Sequence, residues 1–181
     1  MSLSWLPNAV SLLRIALVAP ILMLILDGQF AWALALFFVA GFSDGIDGYL
    51  AKRFDWHTRL GALLDPVADK LLVAGAFITL AYTQHIPAWL AVVVILRDVV
   101  IIGGATAYNF IVKPVQGEPT KISKLNTTLQ LLLMLFVLSR AAFDWPDKIS
   151  ITVLGASVLI TVVISGVDYI WSWLNRARAG E

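Results

Sequence analysis

The chain has 181 residues, 60% hydrophobic and 14% charged, and its mean hydropathy is +0.86. This apolar fraction exceeds that of a soluble domain and favours an integral membrane protein. The net charge of +1, with dispersed basic residues, excludes the dense positive field of a nucleic-acid-binding protein. Because the chain has no cysteine, it cannot form disulfides, thiolate metal sites or a cysteine nucleophile. We therefore expect lipids, and no nucleic acid, as partners.

Hydrophobic segments alternate with short polar connections along the whole chain. A membrane-crossing helix needs about 20 mostly apolar residues. Turn-forming residues such as Asp27-Gly28-Gln29 and Gln84-His85-Ile86-Pro87 separate the segments. The pattern predicts an all-α polytopic membrane protein, a single domain over residues 1–181, with six transmembrane helices at approximately 8–27, 30–53, 60–83, 87–112, 122–139 and 149–174.

The distribution of basic residues predicts the orientation of these helices, because cytoplasmic loops carry an excess of Lys and Arg. One side of the membrane would carry only Arg140 and Lys148. The other would carry Lys52, Arg53, Arg59, Lys113, Lys121, Lys124, Arg176 and Arg178. Both termini are therefore expected in the cytoplasm. All the tryptophans lie near predicted segment ends, as in an interfacial aromatic belt.

Four carboxylates fall within 26 residues of the second and third segments. Asp44 and Asp47 are spaced i, i+3, and Asp65 and Asp69 are spaced i, i+4, so each pair lies on one face of its helix. Acids inside a membrane usually serve function, and four together repel one another. Divalent cations relieve this repulsion, and oxygen ligands without Cys or His favour Mg²⁺ or Mn²⁺. Magnesium commonly takes substrate phosphates as further ligands, which indicates phosphoryl chemistry.

Local explanations exist for each part of this pattern. The interleaved small residues, Gly45, Gly48, Ala51 and Gly61, could admit a flat ligand or allow two helices to pack closely. Asp65 before Pro66 resembles an N-cap, with the third helix starting at residue 66. Asp44 and Asp47 could pair with Lys52 or Arg53. The four acids with interleaved glycines together favour a metal site.

The segment from Asp44 to Asp69 resembles the signature of the CDP-alcohol phosphotransferases, D-x-x-D-G-x-x-A-R, eight residues, then G-x-x-x-D-x-x-x-D. Lys52 departs from the pattern's Arg, which keeps the charge but loses the forked phosphate contact unless Arg53 supplies it. The opening Asn8-x-x-Ser11-x-x-Arg14 is similar to the family's first-helix pattern. The matching signature positions are Asp44, Asp47, Gly48, Ala51, Gly61, Asp65 and Asp69.

The resemblance implies a metal-dependent enzyme with its active site on the cytoplasmic side, and suggests a homodimer. Asp44, Asp47 and Asp65 would hold metals, with two ions expected, that bridge the diphosphate of CDP-diacylglycerol. Asp69 would complete the metal site and act as general base on the acceptor hydroxyl. The residues expected at the CDP pocket are Gly48, Ala51, Lys52 and Gly61.

Within that family, Leu96-Arg97-Asp98 and the stretch 119–130 look most like the CMP-forming cardiolipin synthases. The implied acceptor is phosphatidylglycerol and the implied location a bacterial inner membrane; glycerol 3-phosphate is the alternative acceptor. Arg97, Lys121 and Lys124 would bind an acceptor phosphate. Alternatively, the two lysines are positive-inside loop charges and Arg97 neutralises Asp98.

Three other functions share parts of the pattern. An ion or proton transporter also carries intramembrane acids, but it would not need the interleaved glycines and usually shows inverted repeats. An intramembrane prenyltransferase also binds a diphosphate through aspartates and magnesium, but usually has a longer chain. A structural lipid-binding bundle would use the acids only for helix contacts.

Overall fold

Helices account for almost all of the described chain. The computed structural model describes the backbone of residues 6–54, 59–111 and 120–179, and the side chains of residues 10–43, 67–104, 120, 122–169 and 171. Over these ranges the chain is all-α, without a strand. The helices are α1 (Leu6–Leu26), α2 (Phe30–Phe54), α3 (Arg59–Tyr82), α4 (Ala88–Ile111), α5 (Lys121–Phe143) and α6 (Lys148–Ala179).

All six hydrophobic segments are confirmed as helices, and the largest differences lie at two C-terminal ends. The α5 and α6 helices end at Phe143 and Ala179, beyond the predicted ends at 139 and 174. The apolar pattern stops at charged residues there, but Arg and Ala are strong helix formers and the backbone continues through them. Hydrophobicity therefore located the helices but underestimated the lengths of α5 and α6.

Two of the predicted turns are Schellman motifs, in which a residue with positive φ ends the helix. Gly28 has a φ of 72°, its N–H donates to the Ile25 carbonyl over 3.2 Å, and the Gln29 N–H donates to the Leu24 carbonyl over 2.8 Å. Gln84, with a φ of 62°, ends α3 with the same bonding pattern. These bonds satisfy carbonyls that each helix end would otherwise leave open. The predicted separator at residues 117–119 lies outside the described residues.

Large apolar side chains cover much of the exterior. Val92 is 62% exposed, Ile149 72% and Val153 60%. Two helical stretches in the described chain, Ile122–Phe143 and Lys148–Tyr169, are long and apolar enough to cross a membrane, with hydropathies of 1.4 and 2.2. Such a surface suits hydrocarbon better than water.

Hydroxyl groups along these helices are satisfied by their own backbone. Thr79 donates to the Gly75 carbonyl at 2.8 Å, and Thr152 donates to the Lys148 carbonyl at 2.9 Å. The exposed Ser157 likewise donates to the Val153 carbonyl at 2.9 Å. Bonding of this kind lets a polar side chain face a medium that offers no hydrogen-bond partner.

The described tryptophans support the same environment. Trp32, Trp89, Trp145 and Trp171 lie near helix ends or in a connection, and each is at least 55% exposed. This matches the predicted positions at the ends of the segments and the amphipathic character of an interfacial indole. Trp5 and Trp56 lie outside the described residues, and the side chain of Trp173 is outside the described set.

The helices form two compact units. The first contains residues 1–86 and 134–147, and the second contains residues 87–133 and 148–181. In the first unit α1 packs against both α2 and α3, around a core that includes Ile21, Phe37 and Phe77. In the second unit α4 packs against α6, where Val94 and Val158 are buried.

A glycine permits the close approach of α1 and α3. A Cβ atom added at Gly75 would lie 2.9 Å from Cδ1 and 3.3 Å from Cδ2 of Leu22. A second contact between these helices joins Arg14 to Asp69, and residue numbers rise in the same direction on both helices. The two helices therefore run parallel, with Gly75 at one contact and the Arg14–Asp69 ion pair at the other.

We expect Gly75→Val to destabilise the protein by about 1–3 kcal/mol, because the added side chain forces Leu22 or the backbone to move. Gly103→Val is the matched control, since a Cβ at Gly103 meets no atom within 4 Å. Thermal unfolding in detergent, followed by circular dichroism, measures the difference. Equal stability of the two variants would contradict the close approach of α1 and α3.

Candidate active site

The predicted carboxylates lie on two helices of the first unit. Asp44 and Asp47 are in α2, and Asp65 and Asp69 are in α3. Helical backbone at these positions confirms that each pair shares a helix face. Only the Asp69 side chain is among those described; the side chains at the predicted CDP-binding positions, Gly48, Ala51, Lys52 and Gly61, also lie outside the described set.

The N-cap explanation for Asp65 is wrong. The α3 helix begins at Arg59 and continues without interruption through Pro66, so Asp65 lies within the helix. Residues 59–65 are helical although Pro66 follows them, and a proline disfavours helical backbone at the residue before it. A carboxylate at this point has no helix N-terminus to cap, and its presence needs another reason.

Asp69 forms an ion pair with an arginine of α1. An Nη1 proton of Arg14 is donated to Oδ1 of Asp69, with the two heavy atoms 2.5 Å apart. The Arg14 side chain is 1% exposed, whereas the Asp69 side chain is 42% exposed. The cation is enclosed by the helices while the anion reaches an accessible surface, so the pair presents a carboxylate and not a guanidinium to any ligand.

Sequence reasoning did not assign Arg14 to the site. Arg14 appeared only as part of the first-helix pattern, although an arginine inside an apolar helix is itself a signal. A charged residue at such a position generally faces the bundle interior and pairs with an opposite charge. The identity of that partner required the structure, because Arg14 and Asp69 are 55 residues apart in the chain.

A second buried cluster lies in the second unit around Arg97 of α4. Its Nη1 donates to Oδ1 of Asp98 at 2.7 Å. Its Nη2 donates to the Ser123 hydroxyl of α5 at 2.8 Å and also to the Ser165 hydroxyl of α6. The Arg97 residue is only 6% exposed. One guanidinium therefore connects three helices.

These contacts bear on the predicted acceptor residues. The alternative in which Arg97 neutralises Asp98 is confirmed by their ion pair. Ser123 lies between Lys121 and Lys124 in the first turn of α5, so Arg97 anchors the turn that carries both lysines. Lys124 is exposed, and the side chain of Lys121 is outside the described set.

The polar face of α5 extends further into the second unit. The fully buried Asn126 accepts a hydrogen bond at Oδ1 from the Thr161 hydroxyl at 2.9 Å. Gln130, one turn later, is 0% exposed, and neither of its amide atoms has a hydrogen-bond partner among the described residues. Ser123 and Asn126 rise along α5 while Ser165 and Thr161 fall along α6, so these helices are antiparallel.

The chemistry of the four acids fits a hard divalent cation. All of their possible donor atoms are carboxylate oxygens, and the chain contains no cysteine to compete with them. Among the described side chains no three His, Asp or Glu residues come together as a metal site, and Asp69 is the only one of the four within that set.

The fold and the site define a class: a protein that is helical over its described residues, with a lipid-compatible exterior and two pairs of acids on α2 and α3, the helices that pack against α1. A family model described as CDP-alcohol phosphatidyltransferase matches residues 4–167. The chain therefore belongs to the CDP-alcohol phosphatidyltransferase family, as its signature indicated.

Individual relatives fall into two groups. The chain is 34% identical to a CMP-forming cardiolipin synthase of Rattus norvegicus and 33% identical to one of Homo sapiens, in each case over 90% of this chain. It spans 59% and 60% of the lengths of those two proteins. It is also 31% identical to a CDP-diacylglycerol–glycerol-3-phosphate 3-phosphatidyltransferase of Salmonella choleraesuis, over 97% of this chain and 94% of that protein.

We expect Arg97→Gln to destabilise the protein by about 3 kcal/mol, because it removes the cation that faces a buried carboxylate. Adding Asp98→Asn should restore part of this loss, since the charge that needed compensation is then also gone. Unfolding of the two single variants and the double variant in detergent gives the coupling energy. Strictly additive losses would show that the ion pair contributes nothing.

Proposed function

We propose that the protein transfers a phosphatidyl group from CDP-diacylglycerol to a hydroxyl of phosphatidylglycerol, giving cardiolipin and CMP. The observation that carries this proposal is the similarity to CMP-forming cardiolipin synthases over 90% of the chain. The four acids of α2 and α3 supply carboxylate oxygens that suit divalent cations, and such cations bind a diphosphate. The partly exposed Asp69 supplies a carboxylate at an accessible surface.

The proposed reaction is a single displacement at phosphorus. Asp69 accepts the proton of the acceptor hydroxyl as that oxygen forms a bond to the lipid-linked phosphorus. The bond between that phosphorus and the bridging oxygen of the diphosphate breaks, and CMP leaves with the electron pair. No covalent enzyme intermediate is needed, because the acceptor attacks directly.

Asp44, Asp47, Asp65 and Asp69 would hold two Mg²⁺ or Mn²⁺ ions. When bound, such ions neutralise charge on the diphosphate and stabilise the departing phosphate. Gly48, Ala51 and Gly61 would leave room for the cytidine, and Lys52 would contact phosphate oxygens, with Arg53 as the alternative. The glycines and the alanine are matching signature positions in α2 and α3, and Lys52 stands where the signature has an arginine.

For the acceptor, we propose that Lys121 and Lys124 bind its phosphate and that Arg97 contributes to the same site. The bonds of Arg97 to Asp98 and Ser123 favour an indirect contribution, in which Arg97 fixes the first turn of α5. Lysine suits this task because its ammonium is a flexible point charge.

The proposed setting is the inner membrane of a bacterium, with six transmembrane helices and both termini in the cytoplasm. The apolar exterior and the asymmetry of basic residues support this arrangement. The active site would then open on the cytoplasmic side, and the functional form would be a homodimer.

Glycerol 3-phosphate is the second candidate acceptor. The specific observation in its favour is the Salmonella choleraesuis relative named for that substrate. This chain matches 94% of the length of that relative. Both candidates use the same donor and the same metal-dependent step.

Release of CMP by the purified protein tests the proposal, with CDP-diacylglycerol and Mn²⁺ and with phosphatidylglycerol or glycerol 3-phosphate as acceptor. Metal-dependent release with phosphatidylglycerol is expected. Release with glycerol 3-phosphate alone would move the protein to the second candidate. Failure with both acceptors would overturn the assigned reaction.

We expect Asp69→Asn to lower kcat by about 10³-fold, in the range that general bases contribute, while the helical content is preserved. The matched control is Asp27→Asn, since Asp27 is exposed in the turn between α1 and α2. Rates of CMP release from both variants give the comparison. A kcat for Asp69→Asn near that of Asp27→Asn would remove Asp69 as the base.

Lys124→Ala should raise KM for the phosphate-bearing acceptor about tenfold, because it removes a charge-assisted contact. The KM for CDP-diacylglycerol should stay nearly constant. Lys148→Ala is the control, since Lys148 is also an exposed lysine in the first turn of a helix, but of α6 and not of α5. Equal increases in both KM values for Lys124→Ala would contradict the acceptor assignment.

A further inference from the structure

The ion pair between Arg14 and Asp69 is unequally exposed. Arg14 has 1% of its side chain accessible and Asp69 has 42%, with 2.5 Å between Nη1 and Oδ1. A ligand can therefore approach the carboxylate but not the guanidinium. Arg14 can therefore influence a bound ligand through its ion pair with Asp69 and through its charge, without touching the ligand itself.

The position of Arg14 allows it to act on the whole acidic site. Asp65 lies one turn before Asp69, and the helical period places both acids on the face of α3 that Arg14 contacts through Asp69. In a low-dielectric interior a fixed cation acts strongly on neighbouring charges. It reduces the negative potential that attracts a divalent cation, and its bond to Oδ1 restricts rotation of the carboxylate.

We propose that Arg14 is a positioning residue that acts through Asp69: it fixes the carboxylate for catalysis and weakens the affinity of the acidic site for divalent metal. The inference rests on the proposed function and goes beyond it, because that function assigns no role to Arg14. The two effects have opposite consequences. Fixing the carboxylate raises turnover, and the fixed positive charge repels the ions that the reaction uses.

Arg14→Gln separates these effects from a structural role. We expect the Kd for Mn²⁺ to fall about tenfold, because a repelling charge is removed, and kcat to fall at least about tenfold, because the carboxylate loses its anchor. A residue needed only for folding would weaken metal binding and turnover together. Mn²⁺ binding is measured from the electron paramagnetic resonance signal of the free ion, which needs no activity.

Two further variants complete the experiment. Arg14→Lys keeps the charge but not the planar fork, so it should bind Mn²⁺ as the wild type does while kcat falls. This variant carries the test if Arg14→Gln does not fold. Arg140→Gln is the matched control, because Arg140 lies in the same unit and donates its Nη1 to the Pro146 carbonyl at 2.7 Å. Its Kd and kcat should both match the wild type.

Weaker or unchanged Mn²⁺ binding in a folded Arg14→Gln variant would overturn the inference, as would an unchanged kcat in Arg14→Lys. Wild-type protein that binds Mn²⁺ but releases no CMP would overturn the proposed reaction, while tighter binding by Arg14→Gln would still support the electrostatic effect. Wild-type protein that binds no Mn²⁺ would overturn both.

Discussion

Charge enclosed by apolar helices has to be compensated inside the bundle, because neither lipid nor the helix backbone can do so. The two buried arginines of the described chain follow this constraint. Arg14 joins α1 to α3 through Asp69, and Arg97 joins α4 to α5 and α6 through Asp98 and two serines. Each compact unit thus has an ionic centre that also determines which helices lie together.

The two centres differ in what they expose. In the first unit the anion reaches a surface, so its carboxylate is accessible to a ligand. In the second unit both partners are buried, with side-chain exposures of 5% for Arg97 and 11% for Asp98. The same type of ion pair therefore leaves an accessible carboxylate in one unit and is enclosed between helices in the other. Packing determines which role applies.

Hydropathy predicted the helices well because apolar segments of this length have few other stable forms. It also placed the start of the third helix at residue 60, next to the observed start at Arg59, whereas the alternative start at residue 66, based on the preference of proline for the first turn of a helix, was wrong. Spacing placed the acid pairs on helix faces, since that needs only the helical period. Spacing could not identify the partner of Arg14, because a contact over 55 residues depends on how α1 packs against α3.

Replacing Gln130 offers a way to increase the stability of the second unit. Its side chain is fully buried, and neither amide atom has a hydrogen-bond partner among the described residues. Desolvating such a group costs about 1–3 kcal/mol, a large fraction of the net stability of a typical protein. An apolar side chain of similar shape would avoid this cost without altering the acids of α2 and α3. For anyone seeking a form of this protein that survives detergent long enough for crystallisation, this is the position to change.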